Sequence, residues 1–403
     1  MTKKKKIMFL GGIYYLKPAI DAAHALGCYV ITCDNVPNNI AHQWSDEYVN
    51  ASIIDKEKIL IIAREKQIDG ILSYAVDPGV LSAAYVAEQL CLPYTCTYES
   101  AKILQNKAKF RNFLKDNGFN TPWSISGKSY KEILGLTYRY SYPMIVKPVD
   151  SAGSKGVTRV DNEEDLETAF YNAIKYSISK EVIVEEFISK KNYSYGAEVF
   201  VSNGKVVFSS FYDQLFDIES PNQYVPYAEC WPSSIPKQAE EQILSTIQKI
   251  CDLLMISTGI FNVECRQSLQ GKTYLMELSP RAGGNRLAEI IKEATGCDII
   301  EAEVLKAIGE NNIHISSSIY KGAYAIYVLH SSKSGMFDCV KIDSEFNNHH
   351  IISETYYINK GDLIEGFQGA NNAIGTLFLH FENRSQLDET IKNINDYVNI
   401  IIK

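Results

Sequence analysis

An α/β core followed by a smaller α+β end is the fold class predicted for this chain of 403 residues, and three observations carry it. Strand and helix patterns alternate regularly over the first hundred residues. The middle of the chain mixes both hydrophobic periods, and beyond about Asn311 the texture becomes mainly β. The length is a prior for two or three domains, and 46% hydrophobic with 22% charged residues is the composition of an ordinary soluble globular protein.

The first unit, residues 1–100, reads as "KIMFLGG" (strand), Lys17 to Leu26 (helix closing on Gly27) and "CYVITCD" (strand). Lys56 to Lys66 (helix), "DGILSYA" (strand) and Val80 to Leu90 (helix) follow. Such alternation implies a parallel sheet with helices on its faces. Gly11 and Gly12 do not complete a dinucleotide fingerprint, because Leu16 and Lys17 fill the later positions.

The second unit spans 101–310, in two lobes of about 101–184 and 185–310. "ESAKILQNKAKFRNFLKDNG" has apolar residues at helical spacing and closes on Gly118. Strand "YPMIVKPVD", loop "SAGSKG", strand "VTRV" and a helix from Glu163 to about Lys175 come next. "EVIVEEFI" is a strand, and "AEVFVSNGKVVFSSF" folds at Asn203-Gly204, the strongest short hairpin signal. A helix from Lys237 to Met255 leads to "NVECRQSLQGKTYLMELSPRAGG", and another runs from about Leu287 to Ala294. The third unit, 311–403, carries strands in "YKGAYAIYVLH", "HHIISETYYI" and "AIGTLFLHF" and a helix over about Ser385 to Val398.

Charge and cysteine usage exclude several function classes. The balance of 40 basic against 48 acidic residues gives −8, with no basic half, so nucleic acid is not an expected partner. Lys3 to Lys6 before "IMFLGGIYYL" imitates a secretion signal, but Lys17, Pro18, Asp21 and His24 follow at once without a clean cleavage site. The expectation is a cytoplasmic protein that no apolar run anchors in a membrane. Nine scattered cysteines without a C-x-x-C pair read as buried thiols.

Within the second unit, Glu264 and Glu277 flank a short turn. Taking Gln270 and Gly271 as a two-residue turn sets Glu264 opposite Glu277. Their side chains then share a face with Asn262, Arg266 and Ser279, while Val263, Cys265, Met276 and Leu278 point away. Opposed like charges destabilise a strand pair, and a divalent cation removes that cost; two carboxylates suit Mg²⁺, which completes its shell with phosphate oxygens and water. The competing reading is a solvated face balanced by Arg266. After Pro280, Arg281 offers a fork of donors, and Gly283 and Gly284 allow close backbone approach to an anion. Lys147 emerges from an apolar strand, and the loop from Asp150 to Val157 combines Gly153, Gly156, serines and Lys155, a composition that suits phosphate binding or a plain turn.

Taken in order, "NKAKFRNFLKDNGFNTP", "PMIVKPVDSAGSKGV", "VIVEEFI", "GIFNVEC" and "YLMELSPRAGGN" resemble the ATP-grasp superfamily of carboxylate–amine ligases, in its L-amino-acid-ligase, carbamoyl-phosphate-synthase and biotin-carboxylase-like branch. The resemblance covers nearly the whole chain and implies an ATP-grasp fold behind a Rossmann-like pre-ATP-grasp domain, with ATP and Mg²⁺ as cofactors. It places Lys109 and Lys147 at the nucleotide and closes Ser151, Gly153, Ser154, Lys155, Gly156 and Val157 over the phosphates. Glu185, Glu186, Phe187 and Ile188 become an adenine-reading hinge, and Glu264 and Glu277 the metal ligands. Arg281 and Lys155 become the catalytic cations, and Arg281, Gly283, Gly284 and Asn285 meet the substrate. Ser279 stands where the family commonly has Asn, so Ser279 or Asn262 would complete the metal shell, and Ser194 or Glu198 would hold the ribose. The implied reaction activates a carboxylate as an acyl phosphate and joins it to an amine; a bicarbonate-activating or phosphoribosyl-amine ligase and a silent ATP-binding protein are the rivals. Family analogy also suggests a homodimer.

Overall fold

The computed structural model describes residues 4–310, 313–316 and 319–403. Asn311, where the texture changes, and Lys3 of the lysine run lie outside the described residues. In the first unit, four parallel strands are ordered Glu47–Asn50, Tyr29–Asp34, Lys6–Leu10 and Gly70–Leu72. Helices Lys17–Ala25, Lys56–Lys66 and Val80–Gln89 accompany the sheet. The strand Glu47–Asn50 was not anticipated: as a half-exposed edge it lacks the apolar run that marks the others. Parallel strands deliver their carboxyl ends to one rim, the usual place for a ligand. Gly70–Leu72 leads to Asp77 at that rim.

The long helix expected from Glu99 to Gly118 is two, Tyr98–Leu104 and Lys107–Asp116. Asn106 breaks it, because its side chain accepts from the backbone N–H of Lys109 (3.0 Å) and restarts the helix as an N-cap.

Two antiparallel sheets form the rest. The smaller orders Ser124–Gly127, Val182–Glu186, Met144–Pro148 and Thr158–Val160. Helix Leu166–Tyr176 covers it, burying Phe170 against Met144, Val146 and Val184. The larger has eight strands: Thr273–Ser279, Gly259–Ser268, Lys190–Ser202, Lys205–Phe216, Pro226–Trp231, Ala323–Leu329, Gly375–Phe381 and Ile351–Tyr356. Asn203 and Gly204 link two of them with φ of 49° and 75°, the left-handed pair a two-residue hairpin turn requires.

The last three strands of this sheet come from the segment read as a small α+β lobe. Glu229 pairs with Ile326 and Ala228 with Tyr327, so these strands extend the main sheet. A further three-stranded sheet, Leu363–Ile364, Gly335–Ile342 and Val398–Ile402, closes the end of the chain. Among the described residues no helix is long and apolar enough to cross a membrane.

Candidate active site

A cleft of about 1530 Å³ opens between the two antiparallel sheets and reaches the rim of the parallel one. That exceeds the usual volume of a pocket for one drug-sized ligand.

The ribbon Gly259–Ser268 with Thr273–Ser279 forms its floor. Glu264 lies opposite Glu277, as the sequence reading set them, but by a different route. Gln267 pairs with Thr273, and the Ser268 N–H donates to Lys272, so the turn has three residues, Leu269 to Gly271. A β-bulge at Met276 then restores the register. Bulges re-aim side chains, and here Met276, expected on the hidden face, lines the cleft beside Glu277. Val263, Cys265 and Leu278 do point into the core.

Both carboxylates line the cleft. Burial, and then the negative charge of Glu277, raise the pKa of Glu264. Lys107 Nζ approaches Glu277 Oε2 at 3.6 Å and donates to the Ser151 carbonyl at 2.9 Å. Among the described residues no cluster of three or more His, Cys, Asp or Glu side chains could hold a metal. A pair of opposed carboxylates on a cleft floor suits Mg²⁺, which shares its shell with phosphate oxygens. The residues present therefore fit the ion.

Arg111, Lys147 and Glu185 form a buried triad at the cleft wall. Arg111 donates from Nε to Glu185 Oε2 (2.9 Å) and from Nη1 to the Met276 carbonyl (2.9 Å), and Lys147 Nζ donates to Glu185 Oε1. Burial alone would raise the pKa of Glu185, but the two cations hold it at about 2. Burial lowers that of Lys147. Glu185 lines the cleft together with Glu186, Phe187 and Ile188, its carboxylate held by the two cations, and the Arg159 guanidinium lies 4.5 Å from the centre of the Phe187 ring.

The loop after Lys147 lies against two other elements. Ser154 Oγ donates to the Tyr224 carbonyl (2.7 Å), and Asn222 Nδ2 donates to the carbonyls of Ser154 (2.9 Å) and Gln368 (2.8 Å). Ser151, Gly153, Ser154, Lys155 and Val157 line the cleft. Gly156 does not: a Cβ there would lie 2.9 Å from Tyr176 Cδ2 and 3.1 Å from Ala173 Cα, so glycine serves close packing rather than ligand contact.

At the other end of the cleft, Arg281 donates from Nε to Asp77 Oδ1 (2.8 Å), from Nη2 to Asp77 Oδ2 (2.7 Å) and from Nη1 to the Ala282 carbonyl (2.8 Å). Arg281 lines the cleft with its charge already matched. Ser279 is fully buried, its hydroxyl donating to Asp77 (3.1 Å) and accepting from Gln105 (2.7 Å). It does not face the cleft, which corrects its expected place as a metal ligand. Asn262 does face it, although its amide donates to Glu198 Oε1 (2.7 Å). Glu198 is fully buried, accepting also from the Gly283 backbone N–H (3.2 and 3.1 Å), and burial raises its pKa to about 7. Glu198 and Gly283 therefore brace the site from behind instead of meeting ribose or substrate. A Cβ on Gly283 would come within 2.3 Å of Leu287 Cδ1 and 2.7 Å of Asn262 and Glu198, so this glycine permits a close approach.

Lys109 is the clearest correction. It is exposed on its helix and absent from the cleft, whereas Lys107 and Arg111 on the same helix face inward. Arg111 was legible in principle, because it sits on the apolar spacing of Ala108 and Leu114 and so had to be buried and paired. Gly284 and Asn285 line the cleft as expected, as do Tyr212 and Glu229 of the Tyr- and Phe-rich segment Ser209 to Ser233, from which the sequence predicts substrate specificity; Asp77, Tyr15 and Tyr357 join them unannounced by any local pattern. Ser194, the other ribose candidate, lines the cleft with a hydroxyl that has no hydrogen-bond partner among the described residues.

Comparison with known proteins fits this geometry. Residues 140–289 match the family model of the ATP-grasp domain. Over the whole length of both chains the fold is similar to that of an L-amino acid ligase from Bacillus licheniformis, with a TM-score of 0.85 and 20% identity. A formate-dependent phosphoribosylglycinamide formyltransferase of Prochlorococcus marinus is 29% identical over 72% of this chain and 73% of its own. The carbamoyl phosphate synthase large chain of Thermotoga petrophila is 22% identical over 71% of this chain, which spans only 26% of that longer protein.

Proposed function

Because this chain belongs to the ATP-grasp superfamily, we propose that it is an ADP-forming ligase that activates a substrate carboxylate with ATP and joins it to an amine. The observation that carries this reading is the opposition of Glu264 and Glu277 on the cleft floor, with Lys107 beside one of them.

In this reaction a carboxylate oxygen attacks the γ-phosphorus, the bond to ADP breaks, and an acyl phosphate forms. The amine then attacks the acyl carbon, phosphate leaves, and the amine proton passes to solvent or phosphate. Glu264 and Glu277 would hold Mg²⁺, which would neutralise charge at the phosphates. Lys107 and Lys155 add fixed positive charge near them, and the 151–157 loop keeps water from the acyl phosphate. Arg281, aligned by Asp77, presents its guanidinium edge to the oxyanion that forms when the amine attacks. Glu186, Phe187, Ile188 and Met276 frame the adenine, with Arg111 fixing the strand that carries Met276.

A phosphoribosyl amine, of the kind in the name of the formyltransferase relative, would bring a second phosphate to the substrate end. That end is lined by Tyr15, Tyr212, Tyr357 and Glu229, a setting that disfavours an anion. The test is ADP release from Mg-ATP with a panel of carboxylic acids and amines, supplied singly and together. Release that requires an acid and rises with an amine supports the ligase; no ADP release with any acid or amine would reduce the protein to a nucleotide binder.

A further inference from the structure

Deep at the substrate end, the Glu229 carboxyl is buried, with the residue only 2% exposed, and it borders the cleft. One oxygen, Oε1, accepts from Asn285 Nδ2 at 2.9 Å. The other, Oε2, is buried without any hydrogen-bond partner among the described residues. An orphaned carboxyl oxygen is expensive to bury and marks a place where a donor belongs. The protein fixes the group from both sides. Glu229 lies mid-sheet, in register with Gln214 and Ile326 on its neighbouring strands. Asn285, at a left-handed φ of 53°, is held by the Tyr15 hydroxyl at 3.2 Å.

From Tyr15, which holds Asn285, a wall of aromatic rings runs along the same cleft. Tyr14 contacts Trp44 edge-on, with centroids 5.4 Å apart, and Tyr357 lies 5.2 Å from Tyr14 and 5.8 Å from Tyr15. All four line the cleft. Electron-rich ring faces with one carboxyl attract a cation and an apolar body, and repel an anion.

We propose that Glu229 anchors the ammonium of an amino acid whose carboxylate is the one activated, so that the chain selects α-amino acids as its acid substrate. The inference rests on the ligase reading above and adds the substrate class and the residue that recognises it. The anchored amine is not the attacking one. Pairing with a carboxylate holds an amine protonated, and a protonated amine has no lone pair with which to attack the acyl phosphate. Burial pushes the Glu229 pKa up to about 8, so the carboxyl without a cation is a neutral acid; an arriving ammonium displaces its proton to solvent and leaves a carboxylate–ammonium pair.

The experiment uses the full chain with Mg-ATP and hydroxylamine as the common amine, so that any acyl phosphate is trapped as a hydroxamate. Each proteinogenic L-amino acid is compared with its desamino and α-hydroxy counterparts, in the native protein and in Glu229→Gln. The expected result is a kcat/KM for the best amino acids roughly 100-fold above that of their desamino counterparts, the worth of a charge-assisted bond in a dry site. In Glu229→Gln that ratio falls below about tenfold, chiefly through KM for the amino acid, because the amide no longer carries the charge. Stabilisation of both proteins by Mg-ATP in thermal melts shows that fold and nucleotide site survive. Four outcomes overturn the proposal. They are an unchanged ratio in the variant, equal use of desamino acids by the native protein, an equal fall in kcat for both substrate types, and silence of the whole panel while Mg-ATP still stabilises the fold. Loss of nucleotide stabilisation in the native protein would overturn the ligase reading as well.

Discussion

Asp77 and Arg281 face one another through two parallel hydrogen bonds, 2.8 and 2.7 Å long, that tie the rim of the parallel sheet to the end of the carboxylate ribbon. Burial would raise the pKa of Asp77, but Arg281 holds it below its ordinary value. Removing one partner leaves a buried charge alone, so Asp77→Ala is expected to cost about 3–5 kcal/mol in urea unfolding. Adding Arg281→Met to that variant should recover part of the loss. A double variant no more stable than Asp77→Ala would show that the pair is not coupled.

Lys107 and Lys109 sit on one helix, two residues apart, and the structure separates their fates. Lys107 reaches the Ser151 carbonyl and Glu277, whereas Lys109 points to solvent. Lys107→Met is expected to raise KM for ATP or lower kcat by about 10- to 100-fold, the worth of one charge-assisted contact. Lys109→Met should stay within about twofold, as exposed lysines generally do. Steady-state ADP release measures both, and a larger defect in the Lys109 variant would contradict the inward assignment of Lys107.

How far this helix was legible shows where a sequence stops informing. Its apolar spacing was plain, and so was its end at Gly118. The break at Asn106 was hidden, because an N-cap inside an otherwise continuous helical pattern looks like any polar residue; it is this break that starts a new helix with Lys107 in its first turn. The ribbon gives a second lesson. A three-residue turn and a bulge at Met276 cancel, so the pairing of Glu264 with Glu277 survived a wrong count of the turn, while the facing of Met276 did not. Order along the chain was enough to place the central strands and the two carboxylates, but not short edge strands such as Glu47–Asn50 and Ser124–Gly127. The substrate end was legible only in its 209–233 segment, since Tyr15 and Asp77 follow strands of the parallel sheet and meet Glu229 and Tyr357 only when that sheet packs on the eight-stranded one.

Two buried glutamates should give opposite pH signatures. Glu185, held at about 2 by Arg111 and Lys147, contributes stability that is complete above the unfolded value of 4.5 and is lost as pH falls toward 2. Glu198, raised to about 7 chiefly by burial, binds its proton more tightly when folded, so it costs stability as pH rises from 4.5 through 7. Each effect is on the order of 3 kcal/mol at full development. Urea titrations at a series of pH values are expected to show that Glu185→Gln flattens the acid limb below pH 4.5, and that Glu198→Gln flattens the decline between 4.5 and about 7. The reverse assignment of the two limbs would contradict the burial and pairing described for these groups.

The ribbon carboxylates bear most directly on the nucleotide-binding claim, and titration of ATP at varied Mg²⁺ into the native protein, Glu264→Gln, Glu277→Gln and the double variant isolates them. Coupling between ion and nucleotide should be strong in the native protein, weakened in each single variant and absent in the double one, with ADP formation down by roughly 10³-fold, as for loss of a key charge-stabilising group. A double variant that still binds ATP with native dependence on Mg²⁺ would mean that the two opposed glutamates do not hold the ion.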